Sequence, residues 1–417
     1  MKSAPLRWQR LSRLNKCSPT CAKLDFGLNF EKVASVLPLV RNWEVNLNKQ
    51  VKKELLWVCG LSALALYASR RKKSSLLPIA AGAWLALQNT EVENFRGHSA
   101  FITGGSRGLG LALATRLVKE GAKVTLMARD ADELLRARVF LESLNGGPVH
   151  TVCGDVTDTD HLRNGLAEAL QKFNGLDLLI NNAGAITVGP WETMTTEDFE
   201  AQMSLHLYAP MNALRLALPY LRENDSGKRV VNICSMGGRV AVPHMLPYDT
   251  SKFALSGFSQ GVAAELADEG ISVTTIYPTL IRTGSPIQAV FKGDHAKEFA
   301  WFQAGDVMPG FSSSADSVAQ QILQATRERR WELTPSILGR TRMLAAALFP
   351  EMMGQMMVII NRAMPKGTSR QHRTGYQSRD FFDRAWWSKL FAPRARRLEQ
   401  KFNQAPSVDA RNNLGLH

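Results

Sequence analysis

The sequence predicts an α/β fold: a doubly wound parallel sheet of Rossmann type in a single domain, carried between basic, partly apolar helical extensions. Three observations point there. From Ser99 onward, short runs rich in Val, Ile and Leu alternate with amphipathic stretches. The first of these runs leads directly into the glycine-rich stretch TGGSRGLG, residues 103–110. Charge is also segregated, with a net +10 over residues 1–98, −5 over 99–310 and +9 over 311–417. Buried strands joined by crossover helices require a sheet covered on both faces. The basicity belongs to the flanks of a mildly acidic domain.

Taken in order, SAFITGG, KVTLMAR, HTVCGDV, LDLLINNAG, RVVNICS and SVTTIYP read as strands. Between them, LGLALATRLVKEGA and HLRNGLAEALQKFNG place apolar residues at helical spacing, and so does PYDTSKFALSGFSQGVAAELADEG, which stops at Gly270. After Arg282 comes a long aromatic stretch poor in strand signal, residues 284–312, with the character of a substrate-covering loop. SADSVAQQILQATRER then reads as a capped helix and WELTPS as one more strand, which closes the domain at 98–336.

The flanks divide into a basic N-terminal arm (1–54), an apolar helical segment (55–97) and an apolar, basic C-terminal extension (337–417). Residues 1–24 hold six Lys/Arg and no acid, the composition of a transit peptide or of a basic disordered arm. Two uncharged windows, 55–69 and 74–90, are separated by RRKK. Each is shorter than the roughly 18 to 20 apolar residues that span a bilayer. One span through RRKK would put four cations near mid-membrane at about 2.5 to 3.5 kcal/mol each, which excludes it. A shallow hairpin, one short span, two interfacial helices and a soluble helical pair remain. MLAAALFPEMMGQMMVIINRAMP (343–365) is either a core-covering helix or a second membrane-facing element, FFDRAWWSKLFAPRARRLEQK suits an interface, and the last dozen residues read as disordered.

The charge pattern leads to the expectation of an anionic membrane surface as partner, and no nucleic acid; with the catalytic residues and the resemblance given below, a small lipophilic substrate is expected as well. Five cysteines, an odd number in a chain this long, imply a reducing compartment. The expectation is a membrane-associated protein with its domain on the cytoplasmic side. Cys17 and Cys21 have no second Cys or His pair at zinc-site spacing, so no metal site is expected.

Gly104, Gly108 and Gly110 allow a tight turn and close backbone approach, leaving helix N-terminal amides for a pyrophosphate. The second strand ends at Ala128 and Arg129, and the loop supplies Arg107. Two cations there favour NADP(H) over NAD(H), since Arg accommodates a 2′-phosphate. Asp130 is either a ribose ligand or the N-cap of the next helix. Within YDTSK (248–252), Tyr248 and Lys252 lie four apart and rise from one helix face. A phenol titrates near pH 10, and a nearby cation favours its ionised form. Tyr248 is then a candidate general acid or base for a carbonyl/alcohol pair.

Together, TGGSRGLG, GDV (154–156), NNAG (181–184), Ser235 thirteen residues before the tyrosine, YDTSK and YPTLIRT (277–283) resemble the short-chain dehydrogenase/reductase family in its compact branch, over about residues 98–283. The resemblance implies an NAD(P)-dependent oxidoreductase with Ser235, Tyr248 and Lys252 as its catalytic set. It implies cofactor contacts from Gly104, Ser106, Arg107, Gly108, Gly110, Arg129, Asp155, Val156, Asn182, Ala183, Gly184, Tyr248, Lys252, Pro278, Ile281 and Thr283, and a homodimer or homotetramer. Two departures stand out. His206, in LHL, takes the slot of the asparagine that organises a proton relay, and Thr279 replaces a glycine. The flanks look most like those of membrane-associated members acting on acyl, sphingoid, steroid or retinoid carbonyls. A low-turnover NADP(H) sensor and a soluble 3-oxoacyl-thioester reductase are the alternatives.

Overall fold

The computed structural model describes residues 49–68, 78, 94–223, 227–307, 312–379 and 392–404. The chain divides into two compact units, Met1–Leu47 and Asn48–His417, and every described residue belongs to the second. The expectations for residues 1–24, for Cys17 and Cys21, for RRKK, for the window 74–90 apart from Pro78, for 381–391 and for the last dozen residues lie outside the described residues.

The elements are α1 (Lys49–Ala68), β1 (Ser99–Thr103), α2 (Gly108–Lys119), β2 (Lys123–Ala128), α3 (Ala131–Glu142), β3 (Val149–Cys153), α4 (Thr159–Phe173), β4 (Leu178–Asn181), β5 (Thr187–Val188), α5 (Thr196–Met203), α6 (Ala209–Glu223), β6 (Arg229–Ile233), α7 (Leu246–Leu266) and β7 (Ser272–Ile276). There follow β8 (Leu280–Arg282), β9 (Val290–Phe291), α8 (His295–Val307), β10 (Ser312–Ser314), α9 (Ala315–Arg327), β11 (Glu332–Leu333), α10 (Ile337–Leu348), α11 (Pro350–Ala363), β12 (Arg373–Thr374), α12 (Gly375–Ser378) and α13 (Ala392–Lys401).

Seven strands form one parallel sheet in the order β11-β7-β6-β4-β1-β2-β3. Successive side chains of a strand point to opposite faces. Accordingly Ala100 and Ile102 join one core cluster with α2 and α9, while Phe101 between them joins another with α4 and α6. Strand order reverses between β1 and β4, and in such sheets the crevice beyond the strand ends at that point takes the ligand. WELTPS supplies the edge strand β11, as expected.

Over residues 284–307 the expected loop carries more regular structure than its weak strand signal predicts. It folds into β9 and α8 around a cluster of Val188, Ile287, Phe291, Phe299 and Phe302, and β9 pairs with both β5 and β12. A two-residue strand carries too short an alternation to be read from sequence; distant partners decide it. The apolar stretch 343–365 is two helices. α10 ends before Phe349, Pro350 opens α11, and the axes bend by 117°. Among the described residues no single helix is long and apolar enough to cross a membrane, though this bent pair has the length and composition to do so.

Candidate active site

At the mouth of the crevice, α7 carries Tyr248 and Lys252 on one face, both buried. β6 delivers Ser235 just before the short turn Met236–Gly238, and its hydroxyl hydrogen-bonds the tyrosine. Lys252 Nζ donates to the Ile233 carbonyl at 2.9 Å and lies 5.7 Å from the Tyr248 ring centre. The sequence suggested that Lys252 would favour the ionised phenol. Burial outweighs that effect: it raises the Tyr248 pKa far above its ordinary value, with Ser235 only partly opposing it. The phenol is therefore protonated at neutral pH. Burial also lowers the Lys252 pKa to about 8.

His206 sits in a π-turn, Ser204–Tyr208, between α5 and α6. Its Nδ1 is 2.8 Å from Ser251 Oγ, and Ser251 donates its own proton to the Tyr248 carbonyl at 2.7 Å. Nδ1 must therefore be the protonated nitrogen, leaving Nε2 to accept from the Ala185 amide at 3.3 Å. Burial, with Lys252 nearby, holds the His206 pKa well below its usual value. The neutral ring meets Tyr248 edge-on, with centres 5.3 Å apart. Both nitrogens are thus committed to protein partners.

Across the crevice, Gly104 and Gly108 adopt left-handed φ values of 64° and 59°. A Cβ on Gly104 would stand 2.8 Å from Ala183 Cα, and one on Gly110 would stand 2.6 Å from the side-chain nitrogen of Asn182. That closeness is used. Asn182 Nδ2 donates to the carbonyls of Thr103 at 3.0 Å and Gly104 at 2.8 Å, while Thr103 Oγ1 accepts the amides of Asn182 and Ala183 at 3.0 and 3.1 Å. NNAG clamps the glycine loop to β1 and β4. Gly184 lies against His206, with 3.2 Å between its Cβ position and Nε2.

A family model of the short chain dehydrogenases matches residues 98–290. Oxidoreductase BOA17 of Botryotinia fuckeliana is 35% identical over 191 residues, covering 45% of this chain and 68% of that protein. The chain belongs to the short-chain dehydrogenase/reductase family. The 3-dehydrosphinganine reductase TSC10B of Arabidopsis thaliana is 33% identical over 180 residues, covering 43% of this chain and 53% of that one. Among solved structures, L-sorbose reductase of Gluconobacter frateurii, complexed with NADPH and L-sorbose, superposes with a TM-score of 0.53 at 26% identity, covering 60% of this chain and 99% of that one.

As a short-chain dehydrogenase/reductase, this protein is an NAD(P)-dependent oxidoreductase acting on CH–OH or C=O groups. The glycine loop fits a dinucleotide: two left-handed glycines and a third with no room for a side chain bring the backbone close to the N-terminus of α2. Asp155 accepts from the Thr157 amide and hydroxyl at 2.9 and 2.8 Å and lies 3.6 Å from Arg129. Burial acts against its charge, but these partners lower its pKa overall. Val156 is buried behind it. Pro278 holds the Met236 amide through its carbonyl at 2.9 Å, Ile281 is half-buried in β8, and Thr283 is buried beside Gly108. Thr279 turns away toward Ser336, 3.4 Å off.

The region expected to meet a 2′-phosphate holds contacts that the sequence did not announce. Asp130 is the N-cap of α3, accepting from Glu133 N at 2.9 Å. Arg107 pairs with Glu133 at 2.7 Å, and Ser106 donates to the same carboxylate at 3.1 Å. Of the two expected cations, Arg129 is the more open, with its side chain 71% exposed against 31% for Arg107. Glu133 was missed because sequence spacing does not show which cation a carboxylate in the first turn of α3 will meet 26 residues away. Asp249 and Ser251, inside the quoted YDTSK, were also passed over. Asp249 accepts the Val242 amide at 2.6 Å, bracing the loop after Ser235, and burial raises its carboxyl to about 8.

Proposed function

We propose that this enzyme is an NADPH-dependent reductase, reversible as a dehydrogenase, for a lipophilic ketone/alcohol pair reached from a membrane surface. The observation that carries the reading is the cover over the catalytic serine. Met353 of α11 is buried against Met236, next in sequence to Ser235, and Val240, five residues after it, with Met343 and Met357 packed around the cluster. Flexible thioethers adapt to an apolar chain. The outer side of the same helices exposes Ile337, Leu344, Leu348, Phe349, Met352 and Ile359, with Arg340 and Arg362 also exposed. Apolar side chains interspersed with cations suit an anionic lipid interface. The relatedness to plant 3-dehydrosphinganine reductases favours a long-chain 3-keto lipid within this class.

When bound, the nicotinamide supplies or takes up the hydride. Tyr248, protonated at neutral pH, is suited to give its proton to the carbonyl oxygen in reduction and to take it back in oxidation. Ser235, hydrogen-bonded to that phenol, holds the same oxygen. Lys252 would meet the ribose hydroxyls on leaving the Ile233 carbonyl. Exposed Arg129 supports the 2′-phosphate preference, and the diversion of Arg107 to Glu133 limits it.

The test is NADPH oxidation by detergent-solubilised protein against long-chain 3-keto lipids, ketosteroids and retinal, with Tyr248→Phe as control. Turnover of a lipid ketone that vanishes in the variant is expected. Turnover only of short 3-oxoacyl thioesters, or dinucleotide binding without turnover, would overturn the reading.

A further inference from the structure

The dinucleotide loop already holds a ligand, and it comes from the C-terminal end of the described chain. After α13 the backbone turns at Asn403, whose φ is 54°, and lays Phe402, Asn403 and Gln404 across the glycine loop. The Gly108 amide donates to the Phe402 carbonyl at 2.9 Å. Asn403 Nδ2 donates to the carbonyls of Ser106 and Glu133 at 2.9 and 3.0 Å, and its oxygen accepts from Arg136 Nε at 2.9 Å. Phe402 is buried in the cluster that holds Leu109 and Leu134.

Gln404 is 2% exposed, its nitrogen stands 3.0 Å from the Cβ position of Gly108, and its backbone carbonyl accepts from Gln288 at 2.6 Å. Its side-chain oxygen finds no hydrogen-bond partner among the described residues. α13 itself packs its Glu399 backbone on Gly284 and ties Lys401 to Asp316.

The position matters more than the number of contacts. In this fold the amides where the loop enters α2 are the ones a pyrophosphate needs. One of them is satisfied by a carbonyl oxygen, which presents the same lone pairs a phosphate oxygen would. Gln404 lies beside Gly108, where Thr283 also approaches, with 3.9 Å from Thr283 to the Gly108 Cβ position. Ser106 and Glu133, the neighbours of Arg107, are engaged by Asn403.

We propose that residues 402–404 are an internal strap that competes with the dinucleotide for the glycine loop, so that the cofactor binds the form in which the strap has left Gly108. The strap is held by the burial of Phe402 and by a few hydrogen bonds, each worth roughly two- to tenfold in an equilibrium constant. The apparent affinity for cofactor falls by the fraction of chains in the open form.

Two measurements on the full chain test this, both using NADPH and NADH as probes. Dissociation constants by calorimetry compare the wild type with Asn403→Ala/Gln404→Ala, which keeps the core residue Phe402. The variant is expected to bind about tenfold more tightly; unchanged or weaker binding overturns the proposal. Hydrogen exchange on the unaltered protein is the second measurement. Added NADPH is expected to expose the amides of 402–404, whereas protection would make the strap part of the cofactor site and overturn competition. The proposal rests on the nicotinamide reading of the loop. If neither dinucleotide binds even the variant, both fail, whereas equal binding by the two proteins sinks the strap alone.

Discussion

Tyr248 and Lys252 are held at close quarters in a dry site, and burial sets the state of each. Tyr248→Phe removes the proton donor while keeping the ring that meets His206. It is expected to lower kcat by about 10²- to 10⁴-fold with dinucleotide affinity unchanged, read from steady-state rates beside a binding isotherm. His206 is a neutral imidazole with both nitrogens satisfied, so its first duty is to fix Ser251 and the backbone of Tyr248. His206→Ala strands the Ala185 amide and is expected to destabilise the protein by about 1–3 kcal/mol in urea denaturation, and His206→Asn by less. Its lowered pKa adds stability above pH 6.5 that is lost on acidification. A midpoint for the alanine variant equal to wild type at pH 7 would remove this role.

Among the elements, α10 and α11 carry the boldest expectation. Their inner side packs methionines on the Ser235 loop, and their outer side leaves large apolar groups in contact with solvent. Replacing Leu348 and Met352 by Glu on that outer side is expected to reduce co-sedimentation with anionic vesicles about tenfold or more, while the melting temperature moves little. Equal binding by both proteins would remove the outer side from the membrane reading. The break between these helices follows from Pro350, which stands in the sequence, but the 117° turn and the packing of Met353 against Met236 and Val240 are seen only in the fold. In the same way α8 and the small sheet around β9 were illegible. Their cluster joins Val188 to Phe291 and Phe302, contacts no local pattern announces.

For the whole molecule, two buried carboxyls shape the response to pH. Burial raises Asp249 to about 8 and Asp306 to about 7. A carboxyl whose folded pKa exceeds its unfolded value gives stability that is fully present below the unfolded value, near 4, and lost as pH rises through the folded one. The melting temperature of Asp249→Asn, which keeps an acceptor for the Val242 amide, is expected to gain on wild type between pH 5 and 8. A constant difference across that range would count against a buried, protonated Asp249.

The sequence by itself determined the parallel sheet, the glycine loop and the placing of Tyr248 with Lys252. Each is written in local pattern: unbroken apolar runs for strands buried on both faces, four residues along a helix, glycine where no Cβ fits. Tertiary structure alone decided the protonation of Tyr248, the diversion of Arg107 to Glu133, the tautomer of His206 and the seating of Phe402, Asn403 and Gln404 on Gly108. Those depend on desolvation and on partners up to 297 residues apart, as between Ser106 and Asn403. Desolvation and distant pairing are properties of the packed chain, and residue spacing does not encode them.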